Sequence, residues 1–184
     1  TDERAKAQSD HDNPDLQFNV KGADWYAYSE NYGTSEEKKF VKYLASQIDD
    51  LHAKYEGSEI YLIRNELDYW LYSLKDGRRF SPDYMLIIND VVNQQLYYQV
   101  IIEPKGGHII EQDAWKEEAL ISLNDDSEVV FDTNENDKQA YKDYLAEMSK
   151  HGYKEIKPIG IRFYNTDPRP ESEFALDFEG KLLA

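Results

Sequence analysis

Two apolar runs on either side of a polar bend constrain the fold of this chain more than any other feature. They are residues 84–88 and 97–102, and the bend lies between them. The first run follows Pro82-Asp83, and the second leads into Glu103-Pro104-Lys105. Short apolar runs bounded by turn residues are typical of paired strands. The pattern therefore predicts a β-hairpin whose polar ends meet at one edge of a sheet.

The register of this hairpin decides which side chains meet. A symmetric hairpin that pairs Ile88 with Tyr98 also pairs Asp83 with Glu103. Directly opposed residues have Cβ atoms about 5 Å apart. Lys105 is two residues beyond Glu103, so we expect it on the same face. Two carboxylates and one ammonium group are thus expected to converge.

Such a cluster has the chemistry of a magnesium site. Two adjacent carboxylates repel each other unless a cation neutralises them, and Mg²⁺ prefers one or two carboxylates plus water. The carbonyl of Pro104 is a further possible ligand, and Lys105 is placed to stabilise negative charge. Taken alone, Glu103 and Lys105 equally fit an ordinary ion pair at a strand end.

A fourth candidate, Glu37, lies on a predicted helix over residues 35–55 that stops near Gly57. Thr34 or Ser35 marks its start, and its apolar stripe includes Phe40, Val41, Leu44, Ile48 and Leu51. Glu37 is one turn before Val41, so it lies on the buried stripe, whereas Glu36 faces water more. Glu37 also fits a first-turn acid favoured by the helix dipole.

The remaining pattern predicts a mixed central sheet flanked by helices in one α/β domain, residues 34–184. Strands are expected at 59–64, 67–74, 128–131 and 156–164, and Pro158 in the last indicates a sheet edge or a strand start; residues 67–74 also fit a helical turn. Helices are expected at 112–123 and 136–151. Residues 1–33 are predicted to be a linker and N-terminal extension, with 17–33 a strand or loop packed on the domain.

Composition limits the function. The net charge is −16 in 184 residues, and an acidic surface repels phosphate, so the domain alone should bind nucleic acid weakly. There are no cysteines, and no apolar run approaches the roughly 20 residues that span a bilayer. We expect a cytoplasmic protein with no membrane partner. The first residue is Thr1, which favours a processed product or a fragment of a longer chain.

The acidic residues and the lysine, Asp83 after a proline followed by Glu103-x-Lys105, resemble the PD-(D/E)xK nuclease signature. The stretches Ser35-x-Glu37-Lys38-x-Phe40-Val41, RRFSPDYMLII and YQVIIEPKG, with Asp113-x-Trp115-Lys116 after them, resemble the C-terminal endonuclease domain of type III restriction enzyme restriction subunits. The resemblance covers about residues 35–120. It implies a restriction-endonuclease-like fold.

The resemblance also implies an activity and partners. Asp83 and Glu103 would be metal ligands, Lys105 the catalytic lysine, and Glu37 a ligand directly or through water. The implied reaction is Mg²⁺-dependent hydrolysis of double-stranded DNA, with Mn²⁺ as a possible substitute. The implied partners are a helicase motor in the same full-length chain, which alone would use ATP, and a modification (methyltransferase) subunit. No Walker motif occurs in these 184 residues.

Four further residues are candidate nucleic-acid contacts. Arg78 and Arg79 precede the Asp83 strand, His108 follows two glycines, and Lys116 lies on the next predicted helix. Each has an ordinary alternative: turn residues for the arginines, a loop residue for His108, and a structural salt bridge for Lys116.

Two other functions stay open at this stage. A catalytically silent nuclease-fold module that docks proteins in a DNA-processing assembly fits the acidic charge and the 15 tyrosines. A nuclease acting on branched DNA or RNA fits the same residues as a duplex nuclease.

Overall fold

Four strands of the chain form a mixed sheet. The computed structural model describes residues 3–65, 71–72, 78–102, 112–124, 146–147, 149–152, 155–166 and 168–184. Within them the sheet has the order β1-β4-β5-β6, made of β1 (Glu59–Arg64), β4 (Tyr84–Asp90), β5 (Gln95–Ile102) and β6 (Glu155–Gly160). The first three strands are antiparallel and β6 is parallel to β5. The predicted mixture of helices and a mixed sheet is confirmed.

The hairpin of β4 and β5 has the predicted register near its open end and a different one near its turn. Tyr84 pairs with Ile102 and Ile87 with Gln99, but Ile88 pairs with Tyr97. The predicted pairing of Ile88 with Tyr98 is therefore wrong, because Tyr98 is the extra residue of a β-bulge. In the turn beyond the bulge, the Asp90 carboxylate accepts hydrogen bonds from the N–H and side-chain amide of Asn93 at 2.9 and 2.7 Å.

Helix α1 (Ser35–Lys54) begins where the sequence predicts. Thr34 is its N-cap, and its hydroxyl accepts the Glu37 N–H at 3.3 Å while the Glu37 carboxylate accepts the Thr34 N–H at 2.6 Å. This reciprocal pair is a capping box. The chain leaves the helix through Gly57, whose φ of 80° favours glycine. The predicted stripe is buried, and Glu37 is part of it.

Loss of the cap should have a measurable cost. We expect Thr34→Ala to lower the free energy of unfolding by about 1 kcal/mol, because the Glu37 N–H loses its acceptor. Urea unfolding followed by circular dichroism measures the change. Ser46→Ala is the matched control on the exposed side of the same helix, where alanine is expected to be neutral or slightly stabilising. Equal stability of the Thr34 variant and the wild type would contradict the capping role.

The N-terminal segment packs on the domain, as predicted for residues 17–33, whereas the prediction of a linker is corrected for the described residues before them. Gln8, His11, Leu16, Val20 and Trp25 are all buried. The segment ends beside β1, where Tyr26 forms a parallel bridge with Leu62 and the Leu62 N–H donates to the Trp25 carbonyl at 2.6 Å. The sequence did not indicate the packing of the residues before 17, because the segment is polar and its apolar residues follow neither a helix nor a strand period.

Two further strands form a small antiparallel pair, β2 (Leu71–Tyr72) with β3 (Arg79–Phe80). The preference for a strand within residues 67–74 is thus confirmed for two residues. Pro158 lies on β6, which is an edge strand among the described strands, as predicted. The predicted strand over 128–131 lies outside the described residues. Of the predicted helix over 136–151, residues 146–147 and 149–150 are described and helical.

Helices α1 and α3 (Pro168–Phe178) cover the sheet with one hydrophobic core. The buried side chains of this core come from the N-terminal segment, α1, β1, β4, β6 and the segment after it, and α3, which supplies Phe174 and Phe178. A π-helical turn, Glu179–Leu183, follows α3 and buries Leu182. The sequence showed only an apolar patch around Phe174–Phe178, so this helix was not predicted. No helix in the described part of the chain is both long and apolar enough to span a bilayer.

Helix α2 (Ala114–Ser122) forms a second, smaller cluster. Its Ala119 and Leu120 pack with Phe80 of β3 and with Phe163. Gly160 at the end of β6 lies directly against the backbone of Leu120, so a side chain at this position would collide with the helix. The lack of a side chain at Gly160 therefore allows α2 to lie directly against the end of β6.

Candidate active site

Asp83 lies immediately before β4, at the open end of the β4–β5 hairpin. Asn65 follows β1 and holds this segment: its backbone N–H donates to the Asp83 carbonyl at 2.8 Å. The side-chain amide of Asn65 donates to the Ser81 hydroxyl at 2.6 Å and to the Pro82 carbonyl at 2.9 Å. Pro82 is buried and Asp83 is half-buried. The hydrogen bonds from Asn65 therefore fix the backbone that carries the Asp83 carboxylate.

Glu37 is buried, and both of its carboxylate oxygens accept hydrogen bonds. One oxygen accepts the Thr34 N–H of the capping box, and the other accepts Nη2 of Arg64 at 2.9 Å. The side chains of Glu37 and Arg64 are 8% and 26% exposed. A charge-assisted pair with so little water is stronger than a surface ion pair. The predicted burial of Glu37 is confirmed, and its partner is a cation that the sequence analysis did not consider.

Arg64 connects the Glu37 helix to the strand ends. It is the last residue of β1 and pairs across the ladder with Tyr84, the residue after Asp83. Burial disfavours the charged guanidinium, but Tyr84 first, and then Glu37, Tyr26 and Asp83, outweigh burial and raise the pKa of Arg64. Its Nη1 also donates to the Tyr32 carbonyl. Arg64 is therefore a fixed positive charge beside both predicted acids.

A buried polar network supports this end of the sheet from behind. The side-chain oxygen of Asn31 accepts the hydroxyls of Tyr26 at 2.8 Å and Tyr84 at 3.2 Å. Its amide donates to Gln8, which in turn donates to the carbonyls of Leu16 and Lys38. Burial raises the pKa of both tyrosines, so they stay neutral donors. The N-terminal segment thus fixes the start of β4.

Two cationic side chains contact the ring of Trp115, and one of them lies on the segment that leads to Asp83. The guanidinium of Arg78 is 4.3 Å from the centre of the Trp115 ring, and the ammonium of Lys116 is 6.0 Å from it. Both distances fit cation–π contacts. Lys116 also pairs with Asp113 at 3.0 Å, and Arg79 is exposed on β3. Two of the four predicted nucleic-acid contacts are therefore brought together on one indole, which we call the Trp115 platform.

The structure does not describe the other predicted site residues. Glu103, Pro104, Lys105 and His108 lie outside the described residues. Within the described ranges, no three His, Asp or Glu side chains lie close enough to hold a metal ion. The described site therefore consists of Asp83, the Glu37–Arg64 pair and the Trp115 platform.

Sequence reasoning missed three of the polar residues around this site. Arg64 is the last residue of an apolar strand, and a long cationic side chain at the first solvent-exposed position of a strand end is common and gives no signal of a site. Asn31 is buried, yet it sits in a polar stretch without any period. Lys38 is fully buried in α1, one residue from Glu37. A lysine one position from the apolar stripe was the available signal for that burial.

Comparison with protein families identifies the group to which the chain belongs. Residues 9–146 match the model of a family described as "HI_1054_C: C-terminal domain". The chain belongs to the HI_1054_C family. The HI_1054_C match begins within the N-terminal segment, in agreement with the packing of His11 and Leu16 on the domain. It ends before α3, although Phe174 and Phe178 complete the core.

One curated relative matches part of the chain. The chain is 39% identical over 107 residues to a Haemophilus influenzae protein named "Uncharacterized protein". The aligned region is 54% of the chain and 23% of that relative, so the chain spans about a quarter of the relative's length. No solved structure matches the chain significantly.

Proposed function

We propose that this HI_1054_C domain is a Mg²⁺-dependent nuclease with a PD-(D/E)xK fold, which hydrolyses phosphodiester bonds of DNA. The pairing of Tyr84 with Ile102 carries the proposal. Asp83 precedes the first of these residues and Glu103 follows the second, so the sequence places two acids next to the last described pair of the hairpin. This is the register on which the predicted site depends.

The donor chemistry fits a hard divalent cation. Asp83 offers carboxylate oxygens from a backbone that Asn65 holds, and Glu103 and the Pro104 carbonyl are the proposed further ligands. Glu37 is proposed to act through water, because both of its oxygens already accept hydrogen bonds from Thr34 and Arg64. A bound Mg²⁺ would neutralise these acids and activate water at the scissile phosphate.

Other residues of the chain are proposed to handle the DNA. Lys105 stabilises the negative charge that develops on the phosphate. The Trp115 platform contacts the DNA backbone through Arg78 and Lys116, with Arg79 and His108 as further contacts. These are local positive charges on a chain of net charge −16, so we expect duplex affinity to be low without help.

That help is proposed to come from a larger assembly like a type III restriction enzyme. An ATP-driven helicase motor in the full-length chain and a methyltransferase subunit would bring the domain to its site. The length of the curated relative, of which the chain spans 23%, leaves room for such a motor. The size difference supports a carried domain and says nothing about what the remainder does.

A docking module without catalysis is the second candidate. The Glu37–Arg64 pair favours it, because the buried acid of α1 is already neutralised by an internal cation. In this alternative Asp83 would also serve structure, and the acidic surface would bind a basic protein partner.

The decisive experiment measures metal-dependent cleavage. Supercoiled plasmid is incubated with the chain in Mn²⁺, in Mg²⁺ and in EDTA, beside Lys105→Ala, and Mn²⁺ binding is followed by calorimetry. We expect metal-dependent nicking that Lys105→Ala lowers at least about a hundredfold, since removal of one charge-stabilising group costs about 3 kcal/mol or more. Equal cleavage by both proteins would refute the role of Lys105. Absence of Mn²⁺ binding up to millimolar concentration would favour the docking module.

A further inference from the structure

A cavity of about 740 Å³ opens beside the end of the sheet that holds Asp83. Its lining includes Arg4, Tyr28, Tyr32, Arg64 and Asn65. Asn65 is also the residue that holds the Pro82-Asp83 backbone, so one residue is common to the cavity and to the candidate active site. The volume is typical of sites that enclose small ligands or one part of a larger ligand.

Two tyrosines give the cavity aromatic surface that faces water. Tyr28 is 38% exposed and Tyr32 is 48% exposed, although large aromatic side chains usually bury most of their area. The Tyr28 hydroxyl donates to the Arg64 carbonyl at 2.9 Å, and its ring packs edge-on against Tyr26. Tyr28 is therefore held in place while part of its surface stays open. Exposed, fixed aromatic rings are surfaces on which unpaired bases stack.

The charges that line the cavity favour an anion. Arg4 and Arg64 contribute two guanidinium groups, and Glu30 contributes one carboxylate. Burial opposes ionisation of Glu30, but hydrogen bonds from the Ser9 hydroxyl and the backbone N–H groups of Asn31 and Ser9 outweigh burial and lower its pKa. The Glu30 carboxylate is thus turned toward the N-terminal segment. Arg64 also pairs with Glu37 at 2.9 Å, so the guanidinium groups supply directed contacts for an anion and not a net positive field.

We propose that this cavity binds one unpaired nucleotide of a single DNA strand. Its base stacks on Tyr28 and Tyr32, and its phosphate lies at Arg4. A base within a duplex has both faces covered by its neighbours, so it cannot enter such a site without unstacking. The strand preference deepens the proposed nuclease function, because it places a frayed or single-stranded segment beside Asp83. Binding itself does not depend on cleavage.

Fluorescence anisotropy in EDTA tests the proposal without any contribution from catalysis. The probes are labelled dT10, a labelled duplex of equal length and, in competition, dTMP, all at low ionic strength. We expect dT10 to bind more tightly than the duplex, and Tyr32→Ala to weaken dT10 binding about tenfold. We expect Arg4→Ala to reduce the slope of log affinity against log salt by about one. Circular dichroism confirms that each variant is folded.

Tyr61→Ala is the matched control, because Tyr61 is also 38% exposed but lies on β1 and not in the cavity lining. Equal loss of dT10 affinity in the Tyr61 and Tyr32 variants would overturn the proposal, as would duplex binding at least as tight as that of dT10. Competition by dTMP as strong as by unlabelled dT10 would overturn the assignment to a strand. If these results refute nucleotide binding in the cavity while Lys105→Ala still abolishes nicking, the nuclease proposal stands without the nucleotide site.

Discussion

Asp83→Asn is expected to weaken Mn²⁺ binding at least about tenfold and to slow metal-dependent cleavage at least about a hundredfold. Even changes to groups that only support metal ligands cost about 10–100-fold in affinity or activity, and removal of a ligand should cost no less. The substitution keeps the size and the backbone of the residue. The Asp83 carbonyl that accepts the Asn65 N–H is unchanged, so we expect the free energy of unfolding to fall by less than about 1 kcal/mol.

The control is Asp24→Asn, which removes one charge from an exposed aspartate of the N-terminal segment. Calorimetry with Mn²⁺ and plasmid nicking are measured on both variants and on the wild type. Both variants reduce the negative charge equally, so a general electrostatic effect would weaken metal binding in both. If Asp83→Asn binds Mn²⁺ as tightly as Asp24→Asn, the metal is not held by Asp83 and the site must be sought elsewhere.

The elements around this site were predictable where hydrophobic period and capping chemistry agree. The stripe of α1 with Thr34 before it located the helix to within one residue, and the apolar positions of the hairpin located β4 and β5. The burial of Glu37 followed from helix geometry alone. In each case the local pattern and the tertiary packing favour the same structure.

The bulge at Tyr98 and the partners of Glu37 were not predictable in the same way. The turn beyond the bulge is held by hydrogen bonds between Asp90 and Asn93, and such residues are ordinary in a polar bend. The Glu37–Arg64 pair joins a helix to a strand 27 residues later, and no local rule connects them. The Asn31 network likewise joins the N-terminal segment, α1 and β4. Long-range polar contacts carry no periodic signal.

Arg64→Ala is expected to change stability and metal affinity in opposite directions. Loss of the guanidinium leaves the buried carboxylate of Glu37 without its cation, which costs about 3–5 kcal/mol for a fully buried pair. Because the Arg64 side chain retains 26% exposure, we expect a loss of about 2–3 kcal/mol in the metal-free protein. Urea unfolding in EDTA measures it. Arg162→Ala is the control, since its pair with Glu117 is 3.6 Å long and 41% exposed on the arginine side, and should cost less than about 1 kcal/mol.

The affinity for Mn²⁺ should rise in Arg64→Ala because the positive charge of Arg64 opposes a cation that binds beside the same acids. Glu37 and Asp83 both act on Arg64, so its removal leaves their negative charge to the metal. At the effective dielectric of a partly exposed site, removal of one positive charge several ångströms away is worth about 1 kcal/mol, or roughly a fivefold gain in Mn²⁺ affinity. A general loosening of the fold would lower affinity together with stability. A fall in both quantities would therefore show that Arg64 only holds the structure, whereas the expected rise in affinity places the cation beside Glu37 and Asp83.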